Sequence, residues 1–366
     1  MTKDLPRLDL YTLTVAAPRR AGDFAERAER VGWNGMAVVD SQNLSGDVYV
    51  ALTIAASRTE RLGLATAVTN PVTRHPAVTA SAIASVHAFS NGRATLGIGR
   101  GDSSLAHLGR APASVGVFAS YLDALQTFLR GESVSFDALS FHERVAPDVS
   151  SLGLAETAES SRIAWLPDSR PKVEVDVAAI GPKMIGLSAC QADRIMFALG
   201  ADPDRIAWGI QTARDARKAA GLDPMALRFG AYVNLVCHPE VETARELVKG
   251  GLTTFARFQV MHGKIAGPVD RGQRRVLNDL HDRYDMKRHT QAGSPQTGTL
   301  TPEFIDRVAI VGAPTHCVER LRALVALGAE RVTVIGPGAG SDRDDAAVAE
   351  RLLAKEVLPA FRPQTS

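Results

Sequence analysis

The chain has 366 residues, of which 45% are hydrophobic and 22% are charged, and its formal net charge is +2. This is ordinary globular composition, and the length suits an α/β barrel with insertions. The small charge and scattered basic residues argue against a nucleic-acid partner, and no apolar run approaches the roughly 18 residues of a membrane span.

Strands and helices alternate along most of the chain. Short apolar runs predict strands at residues 8–15, 35–40, 62–68, 93–99, 173–180, 194–199, 227–237 and 331–335. Helical spacing of apolar positions predicts helices at residues 21–32, 47–58, 75–89, 114–129, 184–191, 204–220, 240–255, 315–327 and 346–358. Eight strands in this order predict a (β/α)8 TIM barrel, and an open doubly wound sheet is the alternative fold.

Two segments interrupt the alternation and are treated as insertions into a single domain covering residues 1–366. The first spans about residues 132–172, and the second spans about residues 257–302 and includes a basic helix around residues 271–284. Long ordered loops tend to be functional. We therefore expect both insertions to build the substrate pocket, with surface decoration as the alternative.

Several common sites are not predicted. Cys190, Cys237 and Cys317 are few and far apart, which argues against a disulfide framework or a zinc site. The histidines lack metal-ligand spacing, so no metal is expected. A Walker loop, a nucleophile elbow and a dinucleotide glycine motif are also lacking. The first 15 residues lack an apolar signal-peptide core, and we expect a cytoplasmic protein.

Candidate site residues follow the predicted strands, because ligands of such barrels bind at the carboxyl ends of the strands. The fourth strand ends in Gly99-Arg100-Gly101-Asp102, whose glycines let the backbone approach a flat or anionic ligand. A helix N-cap is the alternative role of Asp102. The second strand ends in Asp40, for which a cap or a buried ion pair is the alternative.

The stretch Gly181-Pro182-Lys183 starts the helix that follows the fifth strand. Free backbone N–H groups and the helix dipole favour an anion there, and Lys183 adds positive charge. A plain strand-to-helix turn is the alternative. The residue types along these strand ends therefore favour a polar, glycine-lined pocket for an aromatic cofactor that carries a phosphate.

Four stretches resemble the luciferase-like superfamily of flavin- and deazaflavin-dependent barrels. They are WNGMAVVDS (33–41), LGLATAVTNPVTRHPAVTASAIASVHAFSNGRATLGIGRGDS (62–103), VDVAAIGPKMIGLSACQADRIMFAL (175–199) and VGAPTHCVERLRALVALGAERVTVI (311–335). The segment TNPVTRHP, followed by a strand ending in IGRGDS, is the most specific part. Within the superfamily the chain is most similar to the coenzyme F420-dependent branch that includes methylenetetrahydromethanopterin reductase.

The resemblance implies that coenzyme F420, a 5-deazaflavin, binds at the mouth of the barrel. It also implies a non-prolyl cis peptide bond at Ala67–Val68 against the back of the ring, and a phosphate contact at residues 181–183. The residues expected to bind the cofactor are Ala67, Val68, Asn70, Gly99, Arg100, Gly101, Asp102, Ile180, Gly181, Pro182 and Lys183.

The resemblance also implies a role for two carboxylates. Asp102 matches a carboxylate that assists protonation at the ring nitrogen in related sugar-phosphate dehydrogenases, and we expect it, with Asp40, to be catalytic. The base histidine of those dehydrogenases is replaced here by Ser41. We therefore expect reduction of a C=C, C=N or C=O bond in a small organic substrate, rather than alcohol oxidation.

Two other functions remain open. An FMN-dependent monooxygenase of the same fold would use FMN instead of F420, and a non-catalytic binding protein would use neither. The role of Arg100 is also open, because it could reach the cofactor tail, a substrate carboxylate or Asp102. The resemblance further implies a homodimer.

Overall fold

Eight parallel strands close into a barrel in this computed structural model, which describes residues 7–139, 145–166 and 171–362. The described strands are β1 Asp9–Val15, β2 Gly35–Val39, β3 Gly63–Thr66, β4 Ala94–Ile98, β5 Val134–Ser135, β6 Ser160–Ser161, β7 Glu174–Ala179, β8 Arg194–Phe197, β9 Arg228–Cys237, β10 Ile310–Gly312 and β11 Ala329–Ile335. The barrel order is β1-β2-β3-β4-β7-β8-β9-β11, and β11 pairs with β1 to close it. The predicted TIM barrel is confirmed.

Helices cover the outside of the barrel, as the alternating sequence predicts. The described α-helices are α1 Pro18–Val31, α2 Val48–Ser57, α3 Pro76–Phe89, α4 Ser103–Ala106, α5 Val115–Leu129, α6 Pro182–Gln191, α7 Pro203–Ala219, α8 Val241–Phe258, α9 Arg271–Arg283, α10 Pro302–Val308, α11 Pro314–Leu327 and α12 Arg343–Leu352. None of these described helices is both long and apolar enough to cross a membrane.

Some elements differ from the sequence prediction. The strand predicted at residues 62–68 is regular only to Thr66; the cis peptide bond Ala67–Val68 follows, and Thr69 then bridges to Ile98 at the end of β4. The helix predicted at residues 346–358 stops at Leu352, and the chain continues in a wider and then a tighter helical turn. The short strand β10, which pairs with the end of β9, was not predicted.

Charged residues form a layer inside the barrel. Side chains alternate along a strand, so residues two apart point the same way. Asp176 accepts hydrogen bonds from Arg194 and Arg331, each at 2.8 Å, and all three residues are buried. Burial disfavours the charge on Arg331, but Asp176 and the other acidic groups around it together outweigh burial and raise the pKa of the guanidinium. The ring of Tyr11 lies 4.4 Å from the same guanidinium.

The two insertions differ in structure. In the first, β5 and β6 pair as a short antiparallel hairpin. In the second, Asp270 and Gln273 form a capping box at the start of α9. Leu277 and Leu280 of that helix are fully buried in a hydrophobic core shared with α8 and α10. The second insertion is therefore a packed layer attached to the barrel.

Candidate functional site

A cavity of about 1180 Å³ opens at the carboxyl ends of the barrel strands. Its lining includes Leu13, Ala198, Tyr232 and Ile335, which belong to one apolar cluster further along the barrel strands than the buried charges. Loop residues of the second insertion also line it, including Met261, Met286 and His289. No described residue of the first insertion lines the cavity. The expectation that both insertions build the pocket is therefore wrong for the described part of the first.

One side of the cavity is lined by small apolar residues: Ala67, Val68, Gly99 and Ala178, here called the small-residue wall. The peptide bond Ala67–Val68 is cis, which confirms that prediction. The peptide bond lies beside β4, where a Cβ at Gly97 would lie 2.0 Å from the carbonyl oxygen of Thr66. Only glycine permits this approach.

Hydrogen bonds fix β3 against β4 just below the small-residue wall. The Thr66 hydroxyl donates to the carbonyl of Gly97 at 2.7 Å, and the Gly97 N–H points back to Thr66 Oγ1 at 2.9 Å. Beyond the cis bond, Thr69 and Gly99 continue the pairing with backbone bonds of 3.0 Å. Hydrogen bonds to β4 therefore fix the chain both before and after the cis bond. The wall suits a flat, apolar ligand surface.

Asp102 lies at the edge of this wall and is paired with Arg257, the residue just before the end of α8. The Arg257 guanidinium donates a hydrogen bond to Asp102 Oδ1, whereas Oδ2 is buried and has no partner among the described residues. The carboxylate makes no capping bond to α4, so the alternative role as an N-cap is not observed. Oδ2 remains available to a ligand.

Arg100 does not pair with Asp102. Its guanidinium makes no ion pair within the described chain, and partial burial lowers its pKa despite the opposing effect of the Asp102 charge. Arg100 lines the cavity. Asp102 pairs with Arg257 and not with Arg100. Of the three roles left open for Arg100, contact with the cofactor tail or with a substrate carboxylate therefore remains.

Asp40 lines the cavity, but both of its oxygens are occupied. Arg74 donates to Oδ2 at 2.5 Å, and Gln42 donates to Oδ1 at 2.7 Å. Burial opposes the charge on Arg74, yet its hydrogen bond to Asp40 and the carboxylate charge raise its pKa. This is the buried ion pair named as the alternative for Asp40. A catalytic role of Asp40 stays a prediction that the geometry does not favour.

The residues after β7 form a further part of the cavity lining. Ile180, Gly181, Pro182 and Lys183 all face it, and Gly181 is the N-cap of α6. Gly181 makes no side-chain cap, and the backbone N–H groups of the first helical turn point toward the cavity end of the helix. Lys183 is exposed and makes no ion pair with a described residue. The arrangement suits an anion.

Asn70 lies behind the lining rather than on it. Its side-chain oxygen accepts the N–H groups of Val72 and Thr73 at 3.0 and 3.1 Å, and the residue is fully buried. A Cβ on Gly101 would lie 3.2 Å from that of Asn70. Asn70 therefore shapes the turn beneath Gly101, and the expected direct contact with a cofactor is not supported. The other eleven predicted site residues line the cavity.

Sequence reasoning missed the residues that the second insertion brings to the site. Arg257 contacts Asp102 across 155 positions of sequence, and its guanidinium also lies 4.9 Å from the ring centre of Tyr284. Tyr284 in turn hydrogen-bonds His289. No local sequence pattern predicts such a contact. The sequence offered only one hint, which is that Tyr284 and His289 stand in an otherwise charged, polar segment.

Comparison with known proteins gives a consistent picture. A family model described as luciferase-like monooxygenase matches residues 3–331. The 5,10-methylenetetrahydromethanopterin reductase of Methanolobus tindarius is 27% identical over 342 residues, covering 92% of this chain and 94% of that protein. Solved structures that share the fold include monooxygenases and two F420-dependent enzymes. One is the coenzyme F420-dependent tetrahydromethanopterin reductase of Methanopyrus kandleri, 20% identical with TM-score 0.71, covering 97% of this chain and 100% of that one. The other is an F420-dependent secondary alcohol dehydrogenase in complex with an F420–acetone adduct, 16% identical with TM-score 0.70, covering 98% and 100%.

Proposed function

The chain belongs to the luciferase-like monooxygenase family, and from that premise we propose that it is an F420-dependent oxidoreductase. In this proposal it reduces a C=C, C=N or C=O bond of a small organic molecule. One observation carries it: the buried, unpartnered Oδ2 of Asp102 stands at the edge of the small-residue wall. A flat ring could lie against the wall and donate a hydrogen bond from an N–H group on its edge to Oδ2.

The residues present fit a deazaflavin. The small-residue wall offers an apolar face that a larger side chain at Gly99 would narrow, because its Cβ would lie 3.1 Å from Val68 Cγ2. The Oδ2 atom of Asp102 accepts a hydrogen bond from the polar edge of the ring. Gly181, Lys183 and the start of α6 hold the phosphate. Lys264 and Lys287, which also line the cavity, suit an acidic tail.

The chain's own residues would place the two reactants. When bound, reduced F420 supplies a hydride to one atom of the substrate's double bond, and a proton completes the other atom. The small-residue wall would support one face of the ring, and Met261, Met286 and His289 of the second insertion are cavity-lining residues left for the substrate. Asp102, oriented by Arg257, would accept the proton that the ring nitrogen releases when the hydride leaves. Positioning of this kind accounts for much of the rate that such a site can give.

Titration of the purified protein with F420 and with FMN, followed by tryptophan fluorescence, tests the cofactor. We expect saturable binding of F420 and weaker binding of FMN. Tight FMN binding without F420 binding would replace the proposal by the monooxygenase alternative. Binding of neither would leave a non-catalytic protein.

The proposed phosphate contact of Lys183 is tested by comparing two lysine variants. Lys183→Ala should weaken F420 binding about tenfold, or about 1.4 kcal/mol, and the loss should shrink at high salt. Lys218→Ala, at the exposed far end of α7, should leave the affinity unchanged. Equal affinities of the two variants would remove Lys183 from the site.

Turnover is tested by consumption of reduced F420 with 2-cyclohexen-1-one, 1-pyrroline and cyclohexanone as probes for the three bond types. Asp102→Asn should slow turnover more than it weakens F420 binding. Equal losses would assign Asp102 a purely structural role.

The resemblance also leads us to propose a homodimer. Size-exclusion chromatography with light scattering measures the mass directly. A monomer at micromolar concentration would contradict this part of the proposal.

A further inference from the structure

Tyr284 and His289 form a hydrogen-bonded pair on the second insertion, at the cavity lining. Tyr284 Oη lies 2.7 Å from His289 Nδ1 and 3.3 Å from the hydroxyl of Thr254 on α8. His289 lines the cavity, whereas Tyr284 stands behind it. Since Nδ1 is occupied by Tyr284, Nε2 is the ring nitrogen left for a ligand. It has no hydrogen-bond partner among the described residues.

The surroundings keep this imidazole neutral. Burial, then the positive charge of Arg257 and the neighbouring His107, lower the pKa of His289 to about 4. The Asp102 carboxylate near these cations is already paired with Arg257, and the Asp285 carboxylate on the same loop accepts the backbone N–H of Lys287. Lys287, two residues before His289, adds another positive charge on the same loop. At neutral pH His289 therefore carries one proton on one of its two nitrogens.

The position of that proton follows from the neighbours. Arg257 can only donate hydrogen bonds, and its guanidinium lies over the face of the Tyr284 ring. Burial raises the pKa of the Tyr284 hydroxyl, whereas the charge of Arg257 opposes that rise and favours donation by the hydroxyl. In the tautomer that this arrangement favours, the hydroxyl donates to His289 Nδ1. The remaining proton is then on Nε2, where it faces the cavity as a hydrogen-bond donor without a net charge.

We propose that His289 is a substrate-contacting residue whose Nε2–H donates a hydrogen bond to the acceptor atom of the substrate's unsaturated bond, with Tyr284 fixing the ring orientation. This rests on the proposed function. The acceptor is a carbonyl oxygen or an imine nitrogen, or the carbonyl oxygen conjugated to a C=C bond. A neutral donor polarises such a bond without holding the reduced product as an ion pair.

The contact is assigned to the substrate rather than to the cofactor because of where the pair sits. Asp102 borders the small-residue wall, Arg257 follows it, and Tyr284 and His289 come next along the chain of contacts. The loop that carries His289 is anchored at the opposite rim, where Ala292 N–H donates to the carbonyl of Ala339 after β11. In this chain of contacts, Arg257 and Tyr284 come between Asp102 and His289.

The first test compares His289→Ala, His289→Gln and Tyr284→Phe with His316→Ala, a control on the exposed face of α11. With the best of the three probes, kcat/KM should fall 10- to 100-fold in His289→Ala. It should recover partly in His289→Gln, whose amide supplies a donor. Tyr284→Phe should show an intermediate loss. F420 affinity should stay within about twofold in all variants.

Several outcomes would overturn the inference. Unchanged kcat/KM in His289→Ala would exclude the contact, and an equal loss of F420 affinity would assign His289 to the cofactor. Absence of F420 binding by the wild-type protein would instead refute the proposed function itself, before any His289 variant is compared.

The second test needs no turnover. In ¹⁵N NMR of the histidine side chains, the resonance that disappears in His289→Gln should report a neutral ring protonated on Nε2 at pH 7. It should shift when 2-cyclohexen-1-one is added to the F420-bound protein. A ring protonated on Nδ1, or a resonance that ignores all three probes, would contradict the proposal.

Discussion

Replacement of Gly97 by alanine tests how the small-residue wall is held. The added Cβ would lie 2.0 Å from the carbonyl oxygen of Thr66, a backbone atom that cannot rotate away. β3 and β4 must then separate, and the two buried hydrogen bonds between Thr66 and Gly97 are lost. Hydrogen bonds of this kind contribute about 1 kcal/mol each, and overpacking costs about 1–3 kcal/mol. Together we expect unfolding to be easier by about 3–5 kcal/mol.

Urea unfolding followed by circular dichroism measures this change, and the F420 titration measures its effect on the wall. Gly116→Ala is the matched control, because a Cβ there meets nothing within 4 Å and α5 tolerates alanine well. Thr66→Val, which removes the hydroxyl without a clash, should fall between the two. If Gly97→Ala unfolds within about 0.5 kcal/mol of wild type and binds F420 equally well, the reasoning is wrong.

Two further predictions concern buried charge. Asp176→Asn leaves Arg194 and Arg331 without a counter-charge inside the barrel, and unfolding should become easier by about 3–5 kcal/mol, whereas Asp215→Asn on the surface should change it by less than about 0.5 kcal/mol. Similar unfolding free energies for the two variants would show that the charged layer contributes little to stability. His289 has a folded pKa of about 4 against an ordinary 6.5, so the unfolded chain binds its proton first. Stability should therefore fall as the pH drops from about 6.5 towards 4, and less steeply in His289→Gln; parallel pH profiles would contradict this.

The barrel and the strand ends could be predicted because both depend on local pattern. Buried parallel strands read as short apolar runs, and the turns after them carry glycine and charge, as at residues 99–102. The position of the cis bond at Ala67–Val68 came from resemblance to a family, since spacing alone does not distinguish it from regular strand. A cofactor contact of Asn70 stays a prediction, and sequence alone did not reveal that its side-chain oxygen completes a turn.

The partners of the acidic residues could not be predicted. Asp40 and Asp102 each pair with an arginine, Arg74 and Arg257, that is brought in by tertiary structure. Charged residues at alternate positions in otherwise apolar strands, such as Asp176, were a visible signal of a polar layer inside the barrel. Its composition depends on which strands face each other, and this emerges only when the barrel closes.

The separate hydrophobic core of the second insertion bears on which residues of this protein can be substituted. Leu277, Leu280 and Phe304 pack among themselves and against α8, not against the small-residue wall. Loop residues 286–291 do not belong to this core, and we expect their side chains to be replaceable without loss of its packing. Homologous segments can be exchanged here to retune selectivity while the half of the cavity formed by β3, β4 and α6 stays unaltered, which makes this layer the natural target for directed evolution.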